Sequence, residues 1–74
     1  MKKRNLISNF VREKRKKFHL TQVELAKKAG VGLRFVRDLE QGKKTLRMDR
    51  VNQVLELFGS ELAPAKIANE ETDD

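Results

Sequence analysis

A chain of 74 residues allows one small domain and leaves no room for a catalytic cleft between layers. With 17 Lys and Arg against 11 Asp and Glu the formal net charge is +6. Cysteine is absent, which removes both a disulfide framework and a thiolate metal site and suits a reducing cytoplasm. The charge is split: residues 1–59 carry 16 Lys and Arg against 6 Asp and Glu, a balance of +10, whereas residues 60–74 carry 1 against 5, a balance of −4. A basic body followed by an acidic tail points to a polyanion as partner, the alternative being a surface that is merely solvated.

"NLISNFVREKRKKF" opens the chain's helical part. Leu6, Ile7, Phe10, Val11 and Phe18 recur at helical spacing, so they predict one buried face, with Arg12, Lys14, Lys16 and Lys17 outward. The N-terminal "MKKRNLISNFVREKRKK" has no continuous apolar core, so no signal peptide is expected, and no stretch is long and apolar enough to span a membrane. In "HLTQVELAKKAG", Thr21 and Glu24 form a capping box, Leu20 can staple onto Leu25, and the second helix starts at Gln22 and stops at Gly30. Val23, Ala26 and Ala29 are small enough for close helix approach. A third helix begins near Gly32 or Leu33 and runs to Gln41, with Val36 and Leu39 inward and Gly42 as its stop. Asp49 is a candidate cap for a fourth helix whose inner stripe is Val51, Val54, Leu55 and Phe58 and whose stop is Gly59. "SELAPAKI" suits one short extended segment limited by Pro64, and "ANEETDD" has too little apolar content to fold.

The stretch "ELAKKAGVGLRFVRDLEQG" joins two amphipathic helices by a short turn holding two glycines, the pattern of a helix-turn-helix. Gly30 allows the reversal, Val31 plugs the corner, and Gly32 lets the third helix approach another surface closely. That helix presents Leu33, Arg34, Arg37 and Asp38 opposite its buried side. In a DNA major groove such a face pairs Arg with guanine O6/N7 and sets Leu33 against a thymine methyl. Phe35, beside this face, suits either core packing or a wedge into DNA. Lys43 and Lys44, after Gly42, are candidate phosphate contacts. On spacing alone, a plain helical hairpin within a bundle is the alternative.

"LTQVELAKKAGV" followed by "VRDLEQGK" resembles the Xre/Cro family of lambda-repressor-like helix-turn-helix domains, over about residues 5–59. Within that family "GLRFVRDLEQGKKTLRMDRVNQVLELFG" is most similar to HipB-type antitoxins. The resemblance implies an all-α domain of four to five helices in residues 1–59. Residues 60–74 would then be a dimerisation segment and flexible acidic tail, with "SELA" pairing as a short strand with its copy. By position, the family's base-reading residues fall on Gly32, Leu33, Arg34, Arg37 and Asp38, and its phosphate-binding glutamine on Gln22. Arg15 and Glu40 match a family pair that bridges the first helix to the reading helix. Gly32 stands where a serine or threonine is commoner, and His19 stands where a glycine is usual.

Implied partners are double-stranded DNA with a pseudo-palindromic operator, a second copy of the chain, and a HipA-like kinase toxin, all in the cytoplasm at the nucleoid. No cofactor, metal or membrane partner is implied. An enzyme is not expected: with one His, no Cys, no Tyr, no P-loop and no G-x-S-x-G, no base, nucleophile and oxyanion donor can be assembled. A regulator without a toxin and a pure protein-interaction module are the remaining alternatives.

Overall fold

The computed structural model describes residues 5–66. Within them four helices follow one another with no strand: α1 (Leu6–Lys17), α2 (Gln22–Ala29), α3 (Leu33–Glu40) and α4 (Met48–Leu57). The architecture is all-α, as expected. α3 packs against both α1 and α2, and α2 also packs against α4.

Local chemistry fixes where each helix starts. At α1, Asn5 Oδ1 accepts the Ser8 N–H at 2.8 Å, while Ser8 Oγ accepts the Asn5 N–H at 2.8 Å and donates back to the Asn5 carbonyl at 2.9 Å. Ser8 is therefore fully buried with its hydroxyl satisfied. At α2, Thr21 Oγ1 accepts the Glu24 N–H at 3.0 Å and Glu24 Oε1 accepts the Thr21 N–H at 2.8 Å. Each such cap is worth about 1 kcal/mol. α4 differs from its expected start. Its N-cap is Arg47, and Asp49 lies one step inside the first turn, where its carboxylate accepts the Arg50 N–H and pairs with Arg47. A carboxylate there is favoured by the helix dipole and satisfies an orphan N–H without being the cap.

All four helices end alike. Within two residues of each helix's last residue the chain adopts a left-handed backbone: His19 (φ 58°), Gly30 (77°), Gly42 (86°) and Gly59 (72°). The following N–H then reaches back to a carbonyl five residues earlier, as in Leu20 to Arg15, Val31 to Ala26, Lys43 to Asp38 and Ser60 to Leu55, at 2.9–3.0 Å. His19 alone carries a Cβ into that conformation.

Val11, Leu25, Ala26, Val36, Leu39, Val51, Val54 and Leu55 form the buried core. Ile7, Phe10, Leu20 and Phe58 close over it. Five large apolar residues are exposed outside it: Leu6 and Phe18 at the two ends of α1, Val23 on α2, and Met48 and Leu57 at the two ends of α4. Spacing assigns Leu6 and Phe18 to the inward stripe of α1 and Val23 to a close helix approach, but it does not register where the neighbouring helices stop. Phe18 stacks instead on Phe58, with centroids 6.0 Å apart and planes 8° apart, while Phe10 meets Phe58 edge-on at 6.5 Å. Arg12 and Lys14, expected to point outward, are half-buried, and Lys14 Nζ lies 5.6 Å from the Phe10 ring centre.

Residues 60–66 do not form the short strand expected in "SELAPAKI"; a lone chain offers that segment no strand to pair with. The Leu62 N–H donates to Asn52 Oδ1 at 2.7 Å, and its side chain packs on the core. Of residues 60–74, expected as a dimerisation segment and acidic tail, residues 67–74 lie outside the described residues, as do residues 1–4.

Candidate nucleic-acid interface

The turn between α2 and α3 is held from behind. Gly30 ends α2, and Gln53 on α4 donates Nε2 to the carbonyls of Ala29 at 3.2 Å and Gly30 at 3.3 Å, satisfying acceptors the helix end would leave open. Val31 packs against the core. Gly32 is the N-cap of α3 in an ordinary extended conformation, without a side chain to cap it, and a Cβ there would meet nothing within 4 Å. Nothing in this chain requires glycine at position 32, so any close approach it permits is to an outside surface.

α3 then divides into two faces. Val36, Leu39 and Glu40 are buried. Arg34 and Arg37 are exposed on the other side, whereas Leu33 and Asp38, grouped with them by spacing, are half-buried. Only part of the Leu33 side chain is therefore accessible. Phe35 occupies the border: it packs partly on the core and also lines a groove of about 350 Å³.

That groove runs between α3 and the start of α4. Its charged lining is Arg34, Lys43, Arg47 and Arg50 with one acid, Asp38. Asp38 Oδ1 lies 3.5 Å from Arg34 Nε and Oδ2 lies 3.6 Å from Lys43 Nζ, so one carboxylate stands between two cations. Arg47 is paired to Asp49 by Nη2 at 2.7 Å, and this guanidinium holds the Asp49 carboxyl below its ordinary range. Lys43 and Lys44 are both exposed on the loop, Lys44 beside Leu46 and Met48 along a second groove.

Arg47 and Arg50 were not singled out by the sequence. Their signal was present in "GKKTLRMDR", where cations at 43, 44, 47 and 50 follow the stop of α3 at short, helix-like intervals.

Behind this outer face lies a different use of charge. Arg15 on α1 reaches Glu40 on α3 with two parallel contacts, Nε to Oε2 at 2.7 Å and Nη2 to Oε1 at 3.1 Å, and Nη1 donates to the Leu20 carbonyl at 2.8 Å. The side chains are 13% and 3% exposed. Gln22 Nε2 donates to Glu40 Oε1 at 3.0 Å, so this residue, expected at a phosphate, is tied by its amide to the buried carboxylate. Its second amide proton remains able to donate to a phosphate at the start of α2, where the helix N–H groups favour an anion.

Among the described residues no group of three or more His, Cys, Asp or Glu could hold a metal ion, and no helix is long and apolar enough to cross a membrane.

The comparison with known proteins agrees with this geometry. A family model described as a helix-turn-helix matches residues 11–64, the span from mid-α1 to the segment beyond α4. The chain is also similar to an uncharacterized HTH-type transcriptional regulator, y4mF, of Sinorhizobium fredii (strain NBRC 101917 / NGR234), at 53% identity over 53 residues, which is 72% of this chain and 70% of that protein. With a glycine-bearing turn pinned between two eight-residue helices, and both matches covering that unit, the chain belongs to the helix-turn-helix family and has its all-α, lambda-repressor-like fold.

Proposed function

We propose that this chain is a DNA-binding transcriptional regulator that lays α3 in the major groove of a specific operator. The observation that carries this reading is the outer face of α3, where Arg34 and Arg37 stand exposed beside a groove lined by Lys43, Arg47 and Arg50. Arginines so placed suit guanine edges, and the flanking cations suit phosphates on either side of the groove. Gly32, Leu33 and Asp38 complete the base-proximal set, with Gln22, Lys43 and Lys44 at phosphates.

One eight-residue reading helix covers only a few base pairs, so the regulator works as a homodimer on a pseudo-palindromic site, its half-sites about one helical turn apart. Supporting a second copy is an apolar groove of about 740 Å³ lined by Leu6, Ile7, Phe10, Leu55, Leu62 and Ala63. Residues 60–74 would supply a dimer segment and an acidic tail to this DNA-binding body. The run "FVRDLEQGKKT" followed by "VNQVLELFG" supports a finer assignment: a HipB-type antitoxin that represses its own operon in the cytoplasm, at the nucleoid, and binds a HipA-like kinase toxin.

Selection from a randomised duplex library of about 20 base pairs tests the DNA reading, since a specific regulator recovers a two-fold symmetric sequence. Affinity for that duplex should fall steeply with salt; a pure protein-interaction module recovers no sequence and binds duplex weakly. Co-purification with the product of an adjacent kinase-like gene tests the antitoxin assignment, and a chain that binds its operator without such a neighbour is a stand-alone regulator. Truncation after Ala63 should tighten DNA binding at low salt if the tail competes with DNA, and weaken toxin binding if the tail docks there. Light scattering reports the dimer directly. Substitution of Leu62 would not, because this side chain also belongs to its own subunit's core.

A further inference from the structure

Asp38 is the one acid lining a groove otherwise charged by Arg34, Lys43, Arg47 and Arg50. A carboxylate on a surface meant for phosphates and for the acceptor-rich edges of guanine works against binding, unless it acts on its neighbours. Its geometry suits that second use. One oxygen faces Arg34 Nε at 3.5 Å and the other faces Lys43 Nζ at 3.6 Å, so the carboxylate spans from α3 to the α3–α4 loop. Contact through Nε leaves the terminal pair Nη1 and Nη2, which forks onto guanine O6/N7, for the DNA. Asp38 is 21% exposed while Arg34 is 88% exposed, so the acid is the fixed member of the pair and the arginine the mobile one.

We propose that Asp38 is a positioning residue that sets sequence discrimination through Arg34 and Lys43 without reading a base itself. This rests on the assignment of α3 as the reading helix. On a duplex with guanine opposite Arg34, the Nε contact orients the guanidinium and the arginine–guanine bond compensates for the nearby negative charge. On any other duplex the carboxylate has no such compensation: it neutralises part of two cations and repels phosphates. Non-specific affinity falls more than specific affinity, which is discrimination obtained by weakening the wrong complex.

The test uses the full chain, the duplex it recovers from a randomised library, and a scrambled duplex of equal composition, each measured across a series of KCl concentrations. Asp38→Asn should bind the scrambled duplex about 3- to 10-fold more tightly, with a salt dependence steeper by about one power of salt concentration, because one cation is released to the phosphates. The ratio of specific to scrambled affinity should fall by a similar factor. Asp38→Glu, which keeps the charge, should restore the weak non-specific binding. In the Arg34→Ala background, Asp38→Asn should lose most of its effect on the ratio, which an independent structural role would not produce. An unchanged urea midpoint excludes loss of folding as the cause.

Three results overturn the inference. Scrambled-duplex affinity and salt slope could both stay at the wild-type value in Asp38→Asn. The variant could instead change preference at one base position while non-specific affinity holds, which makes Asp38 a direct reader. A wild-type protein that recovers no sequence removes the DNA-reading assignment and this inference together; a discriminating wild type with an unchanged Asp38→Asn removes the inference alone.

Discussion

Two carboxylates on α3, two residues apart, each meet an arginine, and they are used in opposite ways. Glu40 faces inward and takes Arg15 through two contacts at 2.7 and 3.1 Å, with side chains 13% and 3% exposed. Asp38 faces outward and meets Arg34 at 3.5 Å, with that arginine almost wholly in water. The residue types are nearly the same, and burial decides what the pair does. A buried, bidentate pair fixes α1 to α3 because neither charge can be left alone in the interior. An exposed pair contributes little to stability, so its arginine can turn its terminal nitrogens to another acceptor at small cost. The short helix thus anchors itself with one charge and keeps the other adjustable.

Breaking the inner pair should have the largest effect. Glu40→Ala leaves Arg15 buried without its carboxylate and Gln22 without its acceptor, which costs about 3 to 5 kcal/mol. A domain of this size has a total stability of about that order, so urea denaturation followed by circular dichroism should show a protein largely unfolded before denaturant is added. The outer face should behave in the converse way. Arg34→Ala and Arg37→Ala should leave the urea midpoint within about 0.5 kcal/mol of wild type. Each should remove about 1 to 3 kcal/mol of discrimination between the recovered duplex and a scrambled one, measured by fluorescence anisotropy.

A smaller effect lies at His19. Its φ of 58° places a Cβ where glycine is favoured, so His19→Gly should stabilise the domain by up to about 1 kcal/mol, seen as a raised urea midpoint with DNA affinity unchanged. The smallest concerns the exposed Arg47–Asp49 pair. Asp49 is held below its ordinary carboxylate range in the folded chain by the Arg47 hydrogen bond. Its contribution is therefore complete above the unfolded value and is lost as pH falls through the lower, folded one. Urea midpoints at about pH 7 and about pH 3 should differ slightly less in Asp49→Asn than in wild type.

Much of this architecture is legible in local chemistry. Thr21 with Glu24, the glycines at 30, 42 and 59, and the apolar stripes of α2 to α4 specify elements through neighbours a few residues away. The Asn5–Ser8 box is equally local, an asparagine three residues before a serine. Asp49 misled because a good cap residue one step inside a helix looks the same in sequence as one at its edge. Other features depend on contacts between distant residues. Leu6 and Phe18 fit the inward stripe of α1, but the core ends before it reaches them. Leu62 is held by Asn52 on α4, a bond no spacing suggests. At the interface, the Arg34–Asp38 spacing was visible as an i,i+4 pair, whereas Lys43 joins Asp38 only because the loop turns back at Gly42. The partnership of Gln22 with Glu40 likewise appears only when α2 and α3 are placed side by side.

The two arginine environments can be observed in one titration. With ¹⁵N-labelled protein, the Nε–H resonances of Arg15 and Arg34 are followed as the recovered duplex is added. The account predicts that Arg34 Nε–H moves or broadens as its side chain engages DNA, with Arg37 responding beside it, while Arg15 Nε–H keeps its position and slow solvent exchange through saturation. A shift at Arg15 with none at Arg34 would contradict it, placing the mobile charge on the inner side of α3 and the fixed one outside.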